Sequence, residues 1–249
     1  GVKPVILGEP PRTQGDLNFS LLGFPVRVHP LFWLVTLMLG ARNNDVPGLL
    51  SWIAAVFISI LLHELGHAVV MRAYGYRPWI TLYGMGGLAS YNPGDAYNSR
   101  GPTTLGQIAI SLAGPGAGFL LAALIIAGMA VAGRISAFFP HGAGWPWVMP
   151  YLIGSETFTY YLLYINIFWG LVNLLPVYPL DGGKVSQEIF LKFNSRDGIR
   201  QSLILSMITA GGLVAFALRS HDWYIALFFA YLGYSSYTTL QAYSHGRRW

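Results

Sequence analysis

The sequence predicts an all-α polytopic membrane protein, with six transmembrane helices and one small membrane-associated β-hairpin. Three observations carry that prediction. First, 54% of the 249 residues are hydrophobic and only 10% are charged, whereas soluble domains carry about 25% charged residues. Too few charges are present to cover a water-facing surface. Second, the apolar residues gather into six runs close to the length of a helical span, about 20 residues. Third, the basic residues sit at the ends of those runs. A net charge of +5 could point to nucleic acid, but this placement fits membrane topology and not a phosphate-binding stripe. A lipid bilayer is therefore the expected partner, and nucleic acid is not. The chain has no cysteine, which excludes disulfides, thiol nucleophiles and cysteine metal ligands.

Residues 1–27 are polar, proline-containing and weakly charged, without the basic head and apolar run of a cleavable signal peptide; no element is read there. The six expected spans cover roughly residues 28–41, 48–71, 104–132, 157–176, 201–218 and 223–243. The first is short. The third contains AGPGAGFLLA, whose glycines and proline loosen a helix unless neighbours satisfy its backbone, and whose small residues permit close helix contact. Between the second and third spans, PWITLYGMGGLASYNPG at 78–94 has the aromatic and β-branched residues, then glycines and Asn-Pro-Gly, of a short hairpin. Residues 177–200 are amphipathic, and a short interfacial helix is expected near 183–193.

Six spans place the N-terminus, the second and fourth loops and the C-terminus on one side. That side holds all the lysines and arginines except Arg42, Arg134 and Arg219. Excess Lys and Arg marks the cytoplasmic side, so both termini are expected to be cytoplasmic.

Few ionisable residues remain within the spans. His63, Glu64 and His67 stand deep in the second, in LLHELGHAVV, residues 61–70; Asp181 lies just past the fourth and His29 at the edge of the first. Ionisable groups inside a membrane are costly and mark functional sites. Residues i and i+4 share a helix face, so His63 and His67 can converge on one cation, and neutral imidazole is a good zinc ligand. Glu64 is about 100° around the helix from His63, placed to reach a water beside that cation. H-E-x-x-H on a helix is a zinc metalloprotease signature with Glu as general base. By composition, a chance match is expected roughly twice in a thousand such chains.

A catalytic zinc usually takes three protein ligands. No His-x-x-Gly-x-x-His extension follows, because His67 leads into AVVMRA. The candidates for the third ligand are Asp95, Glu156 and Asp181. Glu156 falls on the far side by the charge count and Asp95 in a polar loop. Asp181 follows LLPVYPL and precedes Gly182 and Gly183, which permit close approach to a neighbouring helix. The second and fourth spans both run outside to inside, and His67 and Asp181 lie near their cytoplasmic ends. Topology thus favours Asp181.

With these residues in place, the chain resembles the site-2 protease family of intramembrane zinc metalloproteases. HELGH at 63–67 matches the family's first motif, and NLLPVYPLDGG at 173–183 matches its N-x-x-P-x-x-x-L-D-G motif. ISLAGPGAGF at 110–119 is similar to its Ala-Gly-Pro element, with Gly118 where the family often has Asn, so no role for that Asn carries over. GMGGLASY at 84–91 is similar to its glycine-containing β segment. The resemblance covers residues 50–190 and implies a three-helix catalytic core at about 48–190. It implies one Zn2+ per chain on His63, His67 and Asp181, with Glu64 activating the attacking water. Asn173 would donate to substrate backbone or the developing oxyanion. Gly86, Gly87 and Leu88 would receive an extended substrate as an added strand, since a cut helix must have its freed amides satisfied. The implied substrates are transmembrane segments of single-span membrane proteins, cut near the cytoplasmic face. The 72–104 connector is too short for an inserted PDZ domain and six residues follow Tyr243, so a single domain, 1–249, without PDZ or CBS domains is expected. The competing reading is a metal or proton transporter using the same cluster, against which the third, fifth and sixth spans carry no ionisable residue. A catalytically silent helix-binding member is disfavoured by the intact Glu64.

Overall fold

The computed structural model describes residues 9–41, 45–84, 86–92, 103–131 and 157–246. Met85, within the expected hairpin, and the candidate ligands Asp95 and Glu156 lie outside them, as do several residues of the charge count (Lys3, Arg42, Arg100, Arg134, Arg247 and Arg248). In chain order the elements are β1 (Leu17–Leu21), β2 (Phe24–Val28), α1 (Pro30–Gly40), α2 (Val46–Ala73), β3 (Trp79–Tyr83), β4 (Gly86–Ser90) and α3 (Thr104–Val131). Then follow α4 (Thr157–Tyr164), a π-helical turn (Ile165–Trp169), α5 (Gly170–Asn173), α6 (Asp181–Phe193), α7 (Gly198–Arg219) and α8 (Trp223–Gly246).

Three of these helices, α2, α3 and α7, are long and apolar enough to cross a membrane. The 28 residues of α2 and of α3 each rise about 42 Å, beyond the roughly 30 Å of bilayer hydrocarbon. The other three expected spans are less complete. The 11 residues of α1 rise only about 16 Å. The run from Thr157 to Asn173 is helical throughout but passes from α to π and back. α8 is long, but Ser235, Ser236, Thr238, Thr239 and Gln241 dilute its apolar character. The interfacial helix expected near 183–193 is α6, which begins at Asp181.

The described chain falls into two compact units. One consists of Pro10–Tyr97 and Ala113–Gly170, and the other includes Asn98–Leu112 and Leu171–Trp249.

The first unit holds a four-stranded sheet in the order β1-β2-β3-β4, antiparallel at both ends and parallel between β2 and β3. The hairpin expected at 78–94 is present as β3 and β4, but it is only half of the sheet. The other half, β1 and β2, arises from residues read as a polar lead-in. Its turn is Leu22-Gly23, both with positive φ, 51° and 79°, the backbone that a two-residue hairpin requires. Leucine in the first of those positions carries none of the Asn-Gly signal that normally reveals such a turn. Arg72, near the end of α2, pins the turn: Nη1 donates to the Leu22 carbonyl at 3.0 Å, and the guanidinium lies 4.0 Å from the centre of the Phe24 ring. Alternation along β2 buries Phe24, Val26 and Val28, which pack with Ile80 and Leu82 of β3 and with Phe32, Ala55, Leu65 and Ala68 of the helices.

Arg27 is also buried, and its charge is met by Asp16. Nη1 donates to Asp16 Oδ2 at 3.0 Å and Nη2 to the Pro10 carbonyl at 2.8 Å. The second unit has its own core, in which Val177, Ala210, Phe229 and Leu232 bring the 174–180 loop against α7 and α8.

Asp16 provides a pH test of the N-terminal hairpin. The Thr13 hydroxyl and amide donate to its carboxylate and Arg27 adds a charge, holding its pKa down at about 2 from the ordinary 3.8. A lowered folded-state pKa contributes stability that is complete above the ordinary value and is lost as pH falls towards the folded one. The difference in melting temperature between parent and Asp16→Asn in detergent should therefore be constant from neutral pH to about 5 and shrink between about 4 and 2. A difference independent of pH would remove the carboxylate from this account.

Candidate metal centre

α2 is apolar around most of its circumference, and its buried residues include Ala55, Ser59, Glu64, His67, Ala68 and Met71. His63 and His67 stand one turn apart, and their Nε2 atoms approach to 3.2 Å with ring planes at 80°. Two nitrogens held at about 2.0–2.1 Å by a tetrahedral zinc would be separated by about 3.4 Å. The pair therefore fits zinc, and the absence of cysteine leaves imidazole and carboxylate as the available donors.

Glycine lets backbone close around these side chains. A Cβ at Gly114 of α3 would overlap both imidazoles, and one at Gly66 would strike the Ala113 carbonyl. The small-residue element of α3 therefore lies directly on the histidine face of α2. On Glu64, a Cβ at Gly87 of β4 would overlap the carboxylate. The Glu64 side chain is buried, with no hydrogen bond or ion pair among the described residues. A base meant for a substrate proton needs such an uncommitted carboxylate.

Among the described residues β4 is an edge strand, with Gly86, Gly87 and Leu88 paired to Tyr83, Leu82 and Thr81 of β3 on one side. The first unit thus brings together His63, Glu64, His67 and the strand at 86–88.

Asp181 and Asn173 belong to the second unit. Asp181 is the first residue of α6 and is only 3% exposed, placed where the helix dipole favours a carboxylate. Lys184 Nζ donates to its Oδ1 at 3.1 Å. Its backbone is held firmly. The Tyr178 amide donates to Ser206 Oγ at 3.0 Å, and Ser236 Oγ donates to the Tyr178 carbonyl at 3.1 Å. A Cβ at Gly182 would strike the Leu174 carbonyl and one at Gly183 would crowd Val177, so the loop folds back on the helix it starts. Asn173 is buried at the end of α5, eight positions before Asp181.

One group near the histidines was not anticipated from the sequence. Asn166, in the π-helical turn, is 4% exposed and donates from Nδ2 to Ser59 Oγ and to the Leu162 carbonyl, both at 2.8 Å. Ser59, His63, Gly118 and Asn166 line one small cavity. A lone Asn in an apolar run was the available signal, and the π turn that aims it has no marker in the sequence.

Comparison with known proteins agrees with this geometry. The family model for Peptidase family M50 matches residues 51–143 and 149–218, running through both units. The zinc metalloprotease MJ0392 of Methanocaldococcus jannaschii is 29% identical over 178 residues, covering 70% of this chain and 45% of that protein. The Synechocystis protein sll0528, provisionally named a zinc metalloprotease, is 31% identical over 218 residues, covering 81% of this chain and 51% of its own length. The chain thus spans about half the length of these curated relatives. Among solved structures, the site-2 protease from Methanocaldococcus jannaschii shares the fold, with a TM-score of 0.57 over 90% of this chain and 95% of that one at 24% identity. Three apolar helices and this family match make the protein an integral membrane protein. The chain belongs to peptidase family M50, the site-2 protease family of zinc metallopeptidases.

Proposed function

We propose that this chain is a membrane-embedded zinc endopeptidase that cuts transmembrane segments of single-span membrane proteins near the cytoplasmic face. The observation that carries the reading is the convergence of two imidazole nitrogens at zinc-ligand separation, with a buried carboxylate one residue away and an edge strand against that carboxylate. His63, His67 and Asp181 hold one zinc per chain. Support for Asp181 comes from its burial at a helix start and from a second family motif surrounding it. Bound there, zinc acts as a Lewis acid, acidifying water and polarising a peptide carbonyl.

The chain's own residues do the rest. Glu64 takes a proton from the attacking water and passes it to the leaving amine. β4 receives the substrate as an extended strand, satisfying amides that would cost several kcal/mol each if left bare in hydrocarbon. Gly87, lacking a side chain, lets that strand run past Glu64 without displacing it. Asn173 donates to the substrate backbone or the developing oxyanion. Six spans, with both termini cytoplasmic, place the site toward the cytoplasmic leaflet, where the loops around 72–104 and 177–200 admit water.

Metal content and chemistry separate in one set of variants. Purified parent should hold about one zinc per chain, and His63→Ala or Asp181→Ala should lose most of it. Glu64→Gln should keep zinc while cleavage of a co-reconstituted single-span substrate falls by about 10²–10⁴-fold. Full zinc in Asp181→Ala would move the third ligand elsewhere. Parent-rate cleavage in Glu64→Gln, or metal or proton flux without proteolysis in the parent, would contradict the mechanism.

The strand is tested separately. Gly87→Ala pushes Glu64 aside and Leu88→Pro removes a strand donor. Each should slow cleavage on the order of 10²-fold with zinc content unchanged. Parent rates in both would reduce β4 to a connector.

A further inference from the structure

The corner where α6 gives way to α7 carries exposed side chains that the proposed chemistry does not use. Along α6, Val185, Ile189 and Phe193 follow one another at i, i+4 and i+8, which puts them on one face. Ile189 is 43% exposed and Phe193 84%. Lys192, Arg196 and Arg200 are exposed in the same corner. The link that gathers them is tightly folded. Asn194 Oδ1 accepts the Arg196 and Asp197 amides, both at 3.1 Å, and the Asn194 carbonyl accepts the Gly198 amide at 2.8 Å. A Cβ at Gly198 would strike the backbone at Leu191, so α7 starts against the last turns of α6. From α8, the Tyr243 hydroxyl donates to the Arg196 carbonyl at 3.4 Å.

The charge gathered here is not consumed locally. Neither Lys192 nor Arg200 has an ion pair or a side-chain hydrogen bond among the described residues, whereas Lys184, two turns earlier, is committed to Asp181. Glu188 and Asp197 are the acids of residues 185–200, against Lys192, Arg196 and Arg200. The dipole of α6 favours a lysine in its last turn, but the dipole of α7 opposes an arginine in its first. Arg200 therefore answers to something outside its own helix. The residue after it opens the apolar run of α7, which is long enough to cross a membrane. Basic residues at the end of such a run lie where hydrocarbon meets the headgroups.

We propose that this corner is a docking surface for an anionic phospholipid of the surrounding bilayer, with Lys192, Arg196 and Arg200 on its phosphate and Phe193 and Ile189 against its acyl chains. Charge complementarity selects the occupant. A zwitterionic headgroup brings its own cation to the phosphate, and an anionic one leaves the three basic side chains a net negative charge to meet. Arginine can grip two phosphate oxygens at once, and lysine adds a point charge. The exposed ring distinguishes a lipid from a free phosphate ion, which offers it nothing. An amphipathic helix with aromatic and basic residues side by side is suited to this boundary.

The reading does not depend on the zinc assignment, and its test uses no proteolysis. Purified full-length chain in a neutral detergent is titrated with phosphatidylglycerol or phosphatidylcholine, and bound lipid is counted by native mass spectrometry. The parent should prefer phosphatidylglycerol. Each basic residue near an anionic headgroup contributes about fivefold in affinity, so Lys192→Gln with Arg200→Gln should weaken phosphatidylglycerol binding on the order of 20–30-fold and leave phosphatidylcholine unchanged. Phe193→Ser should weaken both lipids, because it removes an acyl contact. Inorganic phosphate at millimolar concentration should not displace the lipid. All three side chains are exposed, so the variants keep the packing of α6 and α7. Arg219→Gln, at the other end of α7, is the control for unspecific attraction and should match the parent. Equal binding of the two lipids by the parent, parent affinity in the double variant, the same loss in Arg219→Gln, or displacement by inorganic phosphate would overturn the proposal.

Discussion

Everything at this site follows from one constraint, the cost of keeping two imidazoles and a carboxylate on an apolar helix. Charged or polar groups in hydrocarbon are tolerated only when they face protein or a wet cavity and are paired or bound. His63, Glu64 and His67 sit on α2, and the chain brings backbone to them rather than bulky side chains. Gly114 lies on the two imidazoles and Gly87 on the carboxylate. Each contact would be lost with even one methyl group, so glycine at these positions is a consequence of the polar residues opposite. The sheet then has a reason to exist beside a membrane helix. β4 satisfies its own backbone on one edge through β3 and presents the other edge next to the base.

The same economy of space governs the second unit. Asp181 begins α6 only because Gly182 and Gly183 allow the 174–180 loop to fold back onto that helix, and because Ser206 and Ser236 hold Tyr178 from both sides of its peptide. A carboxylate fixed at a helix start, with little rotamer freedom left, loses less entropy on binding a cation than one on a mobile loop.

Much of this could be read in the sequence, and the failures have physical causes. The i, i+4 histidines were legible because an ionisable cluster in an apolar run has few structural explanations. The β3-β4 hairpin and the helix at 181–193 were legible from local composition and amphipathic patterning. β1 and β2 were not. Their turn uses Leu22 at positive φ, and β2 joins the sheet by parallel pairing to β3 across the whole of α1 and α2, a contact that no local pattern encodes. The count of spans was blurred for a related reason. α1 is apolar but short, and α8 carries a row of hydroxyls, so only α2, α3 and α7 combine full length with a strongly apolar composition. Asn166 was missed because its significance lies in the π turn that aims it.

The central claim is that His63, His67 and Asp181 share one zinc. The most direct measurement is zinc-edge X-ray absorption on the zinc-loaded Glu64→Gln protein. The account predicts four light-atom neighbours at about 2.0–2.1 Å with the multiple-scattering signature of two imidazoles, and loss of one oxygen neighbour's contribution in Asp181→Asn. A first shell with one imidazole or none, or a spectrum indifferent to Asp181, would contradict it.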